Sequence, residues 1–252
     1  MDSIASTRKS NSSAIITNRI IYRVARYWFI GFIFVTLLWV ILPWLAPVFM
    51  RLGWEAPAQA IYWVYSFQCH QLPQRSFFLF GPSTMYSLDQ LPLDQPELVN
   101  SFALRQFIGN ATMGYKVAWS DRMVSAYTSI PIAAMIWFLF RKRLRPLSIW
   151  VFVLLAIPMA IDGGTHMISD LAGVGQGFRY TNTWLAELTS YSLPATFYLG
   201  NALGSFNSWM RLITGTLFGF GLIFLTLPYM RDAFRDMARS IEDKFSRADV
   251  NL

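Results

Sequence analysis

The chain has 252 residues, 54% of them hydrophobic and 14% charged, against the roughly 25% charged residues of a soluble globular domain. Water is therefore not its only solvent. The net charge of +7 does not indicate nucleic acid as a partner, because the basic residues flank apolar runs and form no basic domain of their own. The single cysteine, Cys69, excludes an intramolecular disulfide and a multi-cysteine zinc site within one chain.

In chain order, residues 1–26 form a polar, basic segment with no signal-peptide pattern, since the first apolar run is too long for a signal h-region. Tyr27 to Met50 then reads YWFIGFIFVTLLWVILPWLAPVFM, long enough as a helix to cross a hydrocarbon core of about 30 Å. This is the first span, 27–50. Ala58 to Phe67 is apolar and aromatic but about half the needed length, which reads as an interfacial or re-entrant helix. Pro82, Pro92 and Pro96 place a loop over Gly81 to Asn100. Two further spans, 124–140 and 147–166, are joined by the short hairpin RKRLRP. Ser169 to Trp209 is rich in Gly, Ser, Thr and Asn, a loop region with a short helix around Thr183 to Tyr191, before a fourth span at 210–230. In the tail, 231–252, Phe234, Met237, Ile241 and Phe245 make one helical stripe that suits a membrane surface or a partner.

The expected fold class is therefore all-α: a polytopic transmembrane bundle of about four spans plus an interfacial helix. Trp28, Trp39, Trp44, Trp137 and Trp150 lie in or beside the apolar runs, as at a bilayer boundary. Fourteen of the 21 Lys and Arg fall into three clusters, at 8–26, 141–145 and 231–247, all on one side of this model. The positive-inside rule then puts both termini in the cytoplasm of a multi-pass protein of the plasma membrane. Membrane lipids are the expected surroundings, and no internal repeat of the transporter type is visible.

Both histidines sit in polar clusters, His70 in FQCHQLPQRS and His166 in IDGGTH. Asp162 and His166 are four apart and share a helix face, as do Asn207 and Arg211, while Gly163 and Gly164 would let the helix unwind. Together with Arg122, all fall near the outer boundary. An acid or a guanidinium there needs a partner, and Arg211 is the expected countercharge for Asp162.

Cys69, His70, Asp162 and His166 are residue types that suit zinc or another divalent transition metal, although no His-Glu-x-x-His pattern is present. The competing reading is a set of ion pairs and hydrogen bonds that tie helices together. Cys69 next to His70 makes a poor nucleophile pair on a helix, where neighbours diverge by about 100°. Thr214, Gly215, Gly219 and Gly221 form a helix contact face.

Four ordered motifs, FQCHQLPQRSFFLFG, SDRMVSAY, IPMAIDGGTH and NSWMRLITGTLFGFG, make the chain resemble the prokaryotic membrane proteins grouped as domain of unknown function 2085, over roughly Ile61 to Tyr229. The resemblance implies membrane placement but no activity. By motif it singles out Cys69, His70, Pro73, Arg75 and Ser76, then Arg122, Asp162, Gly163 and His166, and finally Asn207, Arg211 and Gly215. The family pattern has a second cysteine two residues before the arginine, where this chain has Ser120. The leading expectation is an outer-face site for a metal ion or small polar ligand. The alternatives are an intramembrane metal-dependent hydrolase, and an accessory or assembly subunit, or homo-oligomer, that uses the glycine-rich span and the tail as contact surfaces.

Overall fold

The computed structural model describes residues 2–94 and 100–249, with side chains from residue 13 onward. Pro96 and its neighbours in the expected loop, the side chains of Arg8 and Lys9, and the tail end at 250–252 lie outside the described residues. Helix accounts for 69% of the chain and the sheet is small, which bears out the all-α class. Among the described residues four helices are long and apolar enough to cross a membrane: α1 (Asp2–Arg51), α4 (Asp121–Phe140), α5 (Ile149–Asp170) and α9 (Phe206–Arg247). Shorter elements lie between them: α2 (Glu55–Ser66), β1 (Ser76–Leu79), α3 (Ser101–Gln106), β2 (Gly109–Asn110), β3 (Gly114–Ser120), α6 (Phe178–Thr181), α7 (Thr183–Leu188) and α8 (Ala195–Tyr198).

The long helices alternate in direction. One end of the bundle carries the hairpin between α4 and α5, where the Leu147 N–H donates to the Phe224 carbonyl of α9 at 3.2 Å, and the helical stretches 13–26 and 231–247; we call it the basic end. The opposite, motif end carries the small elements. Outward faces such as Trp150, Leu154, Ile161 and Ile168 of α5 are exposed. Such a contiguous apolar surface is unfavourable in water and ordinary in lipid.

Helix α9 packs on α4 through its small residues. A Cβ on Gly215 would collide with the Ser125 hydroxyl, and one on Gly219 with the Ser129 hydroxyl and the Ala126 carbonyl. Gly221 faces Phe152 and Leu155 of α5. Gly215, Gly219 and Gly221 therefore serve packing inside the chain. The tail is likewise not a separate surface helix. It continues α9 without interruption, and most of its stripe turns to α1: Phe234 stacks on Trp28 at 5.2 Å, the Tyr22 hydroxyl donates to Glu242 at 2.9 Å, and Ile241 and Phe245 are buried, while Met237 stays exposed.

At the motif end, α2 is too short to span, and it lays Ala58, Tyr62 and Tyr65 inward while Trp63 and Phe67 stay exposed. The sheet, in the antiparallel order β1-β3-β2, was not expected from the sequence. Its central strand buries Val117, Ala118 and Trp119 in succession against α1 and α2.

Candidate functional site

The sheet assembles the site. Ser76 pairs with Ser120, so Arg75, just before β1, lies beside the start of α4, where Asp121 and Arg122 follow β3 directly. Strands thereby join two motifs that lie 45 residues apart in the chain. Asp121 occupies the first turn of α4, where a carboxylate is favoured by the helix dipole.

Two ion-pair groups fill this end of the bundle. Arg211 Nε donates to Asp121 Oδ1 at 2.6 Å, with side chains 2% and 0% exposed. Its other two nitrogens reach Asn201 Oδ1 at 2.9 Å and the Asn201 carbonyl at 2.7 Å. Ser208 donates to Asp121 Oδ2 at 3.2 Å, and the Arg122 N–H donates to Oδ1 at 2.8 Å. The second group centres on Asp162, which takes Arg122 on Oδ2 at 2.6 Å and Arg179 on Oδ1 at 2.5 Å. Arg122 belongs to both groups, through its backbone N–H and its guanidinium. A third pair, Arg75 to Asp170 at 2.8 Å, lies at the rim.

These pairs correct the expected partner of Asp162. It is held by Arg122 and Arg179, whereas Arg211 goes to Asp121. The register of α4 explains the exchange: Asp121 and Arg122 project to different sides of their helix, one toward α9 and the other toward α5. Helix α5 also does not unwind at its glycines, continuing to Asp170. Gly163 is needed for space instead, since a Cβ there would stand 2.8 Å from Arg122 Nη1.

His166 Nε2 lies 3.9 Å from Asp162 Oδ1, too far for a hydrogen bond, but 3.3 Å from Arg179 Nη2, so it is the acceptor of that pair. Asn207 donates to the carbonyls of Arg179 at 2.5 Å and Gly200 at 2.7 Å. It thereby fixes the loop that carries Arg179. Burial lowers the Arg179 guanidinium from its ordinary range, Asp162 opposes the shift, and the group remains a cation.

Cys69 and His70 follow α2 in irregular chain, so the helical divergence expected of neighbours does not apply. Cys69 is buried, and its Sγ accepts the N–H groups of Gln71 and Ser120, each at 3.3 Å. His70 is exposed. Both border a cavity of about 110 Å³ whose other walls include Arg75, Ser120, Arg122 and Arg211. Behind the sheet, Lys116 is fully buried, with Nζ donating to the carbonyls of Gln71 at 2.8 Å and Arg105 at 2.7 Å. Desolvation pushes its amine down to about 7.

Of the residues expected from sequence, Cys69, His70, Arg75, Arg122 and Arg211 share the cavity, while Asp162, His166 and Asn207 stand behind it. The four candidate metal ligands thus divide into two pairs. Among the described residues no three His, Cys, Asp or Glu side chains gather to hold a metal ion. Both oxygens of Asp162 are occupied by guanidiniums, those of Arg122 and Arg179, and His166 Nε2 faces the same Arg179. A metal cation would have to displace these arginines. Sequence reasoning overlooked Asp121, Arg179 and Asn201. Asp121 carried a signal, since an acid directly after Ser120 marks a helix N-terminus; Arg179 sits in the one-turn helix α6 and Asn201 at a bend, in a connection whose return to the bundle no spacing reveals.

A comparison with characterised sequences finds a protein of Methanocaldococcus jannaschii, described only as uncharacterized, that is 29% identical over 192 residues, covering 73% of this chain and 80% of that protein. No solved structure matches. The family model described as "Predicted membrane protein (DUF2085)" matches residues 110–225, from β2 through about the first half of α9. The motif FQCHQLPQRSFFLFG precedes that stretch, whereas SDRMVSAY, IPMAIDGGTH and the last motif fall within it. Over residues 110–225 this chain is similar to the membrane proteins of domain of unknown function 2085.

Proposed function

We propose that this membrane protein binds a small anionic ligand, one that carries a phosphate, sulfate or carboxylate group, in the cavity at the motif end. The observation that carries this reading is the cavity wall itself: Arg75, Arg122, Arg211 and His70 border it and no carboxylate does. The surrounding charges agree. Arg75, Arg122, Arg179 and Arg211 face Asp121, Asp162 and Asp170, four cations against three anions. Among the described residues the Nε–H groups of Arg75 and Arg122 also lack a partner, and a guanidinium fork is suited to planar or tetrahedral oxyanions.

The same surroundings speak against a bound metal and against a hydrolase that depends on one. An assembly role has less support, because the glycine face and most of the tail stripe are used within the chain. With the basic end in the cytoplasm, as the clustered Arg and Lys favour, the cavity opens toward the outside of a prokaryotic plasma membrane.

Thermal unfolding of the detergent-purified protein, titrated with phosphate, sulfate, acetate or zinc, tests the reading. Oxyanions should raise the midpoint, and Arg75→Gln, at a partly exposed rim pair, should weaken the effect at least tenfold. Stabilisation by zinc that is lost in His70→Ala, or an unaltered anion response in Arg75→Gln, would overturn it.

A further inference from the structure

A second cluster of arginines lies at the opposite, basic end, where it is built differently. Helices α1 and α9 approach closely over Ala25 and Ala238, both buried, and beside this contact runs a groove of about 390 Å³. Arg26, Arg231, Arg235 and Arg239 line it, with Trp28 and Glu242. Glu242 is engaged by the Tyr22 hydroxyl at 2.9 Å. Arg231 pairs with Asp232 at 2.9 Å, and Arg235 lies at 3.6 Å from Asp232 and 3.5 Å from Asp236. Arg26 and Arg239 have no hydrogen bond or ion pair among the described residues. Arg231 also donates to the Arg141 carbonyl at 3.4 Å, so the groove presents two unpaired guanidiniums, one loosely held (Arg235) and one paired (Arg231) to a single space.

Its position along the helix identifies the occupant. One and two turns from Arg26 toward the apolar stretch come Ile30 and Phe34, each 66% exposed, on the same face of α1. A ligand seated in the groove thus has positive charge around its head and a continuous lipid-facing apolar strip below it. Trp28 stands at the junction, where an indole is favoured between hydrocarbon and water.

We propose that this groove is a binding site for an anionic phospholipid, whose phosphate is held by Arg26 and Arg239 with Arg231 and Arg235 completing the ring of donors, and whose acyl chain lies along Ile30 and Phe34. The exposed position of the arginines lets the head stay hydrated while its charge is compensated. The site is independent of the cavity at the motif end.

The test uses the full-length protein in nanodiscs of phosphatidylcholine with a minor fraction of phosphatidylglycerol, and counts retained phosphatidylglycerol by native mass spectrometry after extraction in 150 mM salt, a value of about physiological ionic strength. The paired variant Arg26→Gln/Arg239→Gln should retain at least tenfold less. Arg143→Gln/Arg145→Gln removes the same charge from the same end outside the groove, and should change retention by less than about threefold if attraction is local. All four side chains are exposed, so neither variant should unfold. Equal loss in both variants would mean diffuse surface attraction and would overturn the site. So would displacement of the lipid by millimolar inorganic phosphate, which would assign the groove to a free anion, or retention unchanged in Arg26→Gln/Arg239→Gln.

Discussion

Removing Arg211 should destabilise the protein more than removing any other arginine of the motif end. Its guanidinium makes three contacts at 2.6 to 2.9 Å, to Asp121 and twice to Asn201. In Arg211→Gln, Asp121 stays fully buried with only the Ser208 hydroxyl and one backbone N–H. Breaking a buried pair in this way costs about 3–5 kcal/mol. Asp121→Asn/Arg211→Gln removes both charges and should recover a large part of that loss, a coupling of about 2 kcal/mol or more in the double-mutant cycle. The parallel cycle with Asp162→Asn and Arg211→Gln should couple by less than about 0.5 kcal/mol, because Asp162 belongs to Arg122 and Arg179. Reversible unfolding in mixed micelles, followed by tryptophan fluorescence, supplies the free energies. A coupling of Arg211 to Asp162 as large as that to Asp121 would refute the assignment of the pairs.

Gly219→Leu should cost about 1–3 kcal/mol by forcing α9 away from Ser129 and the Ala126 carbonyl, whereas Gly164→Leu, with nothing within 4 Å, should leave the unfolding midpoint nearly unchanged. In Ser120→Cys the new thiol lies next to Cys69, whose Sγ is 3.3 Å from the residue's N–H, so mild oxidation should abolish labelling of both thiols; two labels per chain after oxidation would contradict the placement. Because the Lys116 amine is pushed down to about 7 while the unfolded chain titrates near 10.4, the unfolded state binds more protons in that interval. Stability should then rise with pH between about 7 and 9.5 by up to about 1.4 kcal/mol per unit, and Lys116→Met should flatten the profile; a wild-type midpoint that falls over this range would contradict it.

The four spans were legible because each is an apolar run longer than the hydrocarbon core, a signal that no tertiary context reverses. The convergence of His70, Arg122 and Arg211 was legible through topology alone, which places the ends of separate spans at one boundary. Their pairing was not. Asp121 and Asp162 are both carboxylates at span ends, and which arginine each receives depends on helix rotation, set here by Gly215 and Gly219 against α4. The β-sheet escaped notice because GYKVAWS has no alternation to read: Val117, Ala118 and Trp119 are all buried, one face against α1 and the other inside the motif-end cap. The tail's periodicity was read correctly, but a stripe records only that something covers it, and α1 of the same chain proved to be the cover.

The rim pair offers a way to separate binding from support in the cavity. Asp170 is 31% exposed and holds Arg75 at 2.8 Å, so Asp170→Asn should cost little stability, within about 1 kcal/mol for a solvent-screened pair. It nevertheless removes one of three carboxylates that face four guanidiniums and releases Arg75 toward the cavity. If the cavity takes an oxyanion, this variant should bind it more tightly than the wild type, the reverse of Arg75→Gln. The gain would appear as a larger rise in unfolding free energy at a given anion concentration, following RT ln(1 + [L]/Kd), about 2.7 kcal/mol when the anion is at a hundred times its Kd. A purely structural cluster would respond to neither anion nor variant in this opposed way. Equal anion responses in Asp170→Asn, wild type and Arg75→Gln would therefore reduce the arginines to helix ties and remove the ligand from the account.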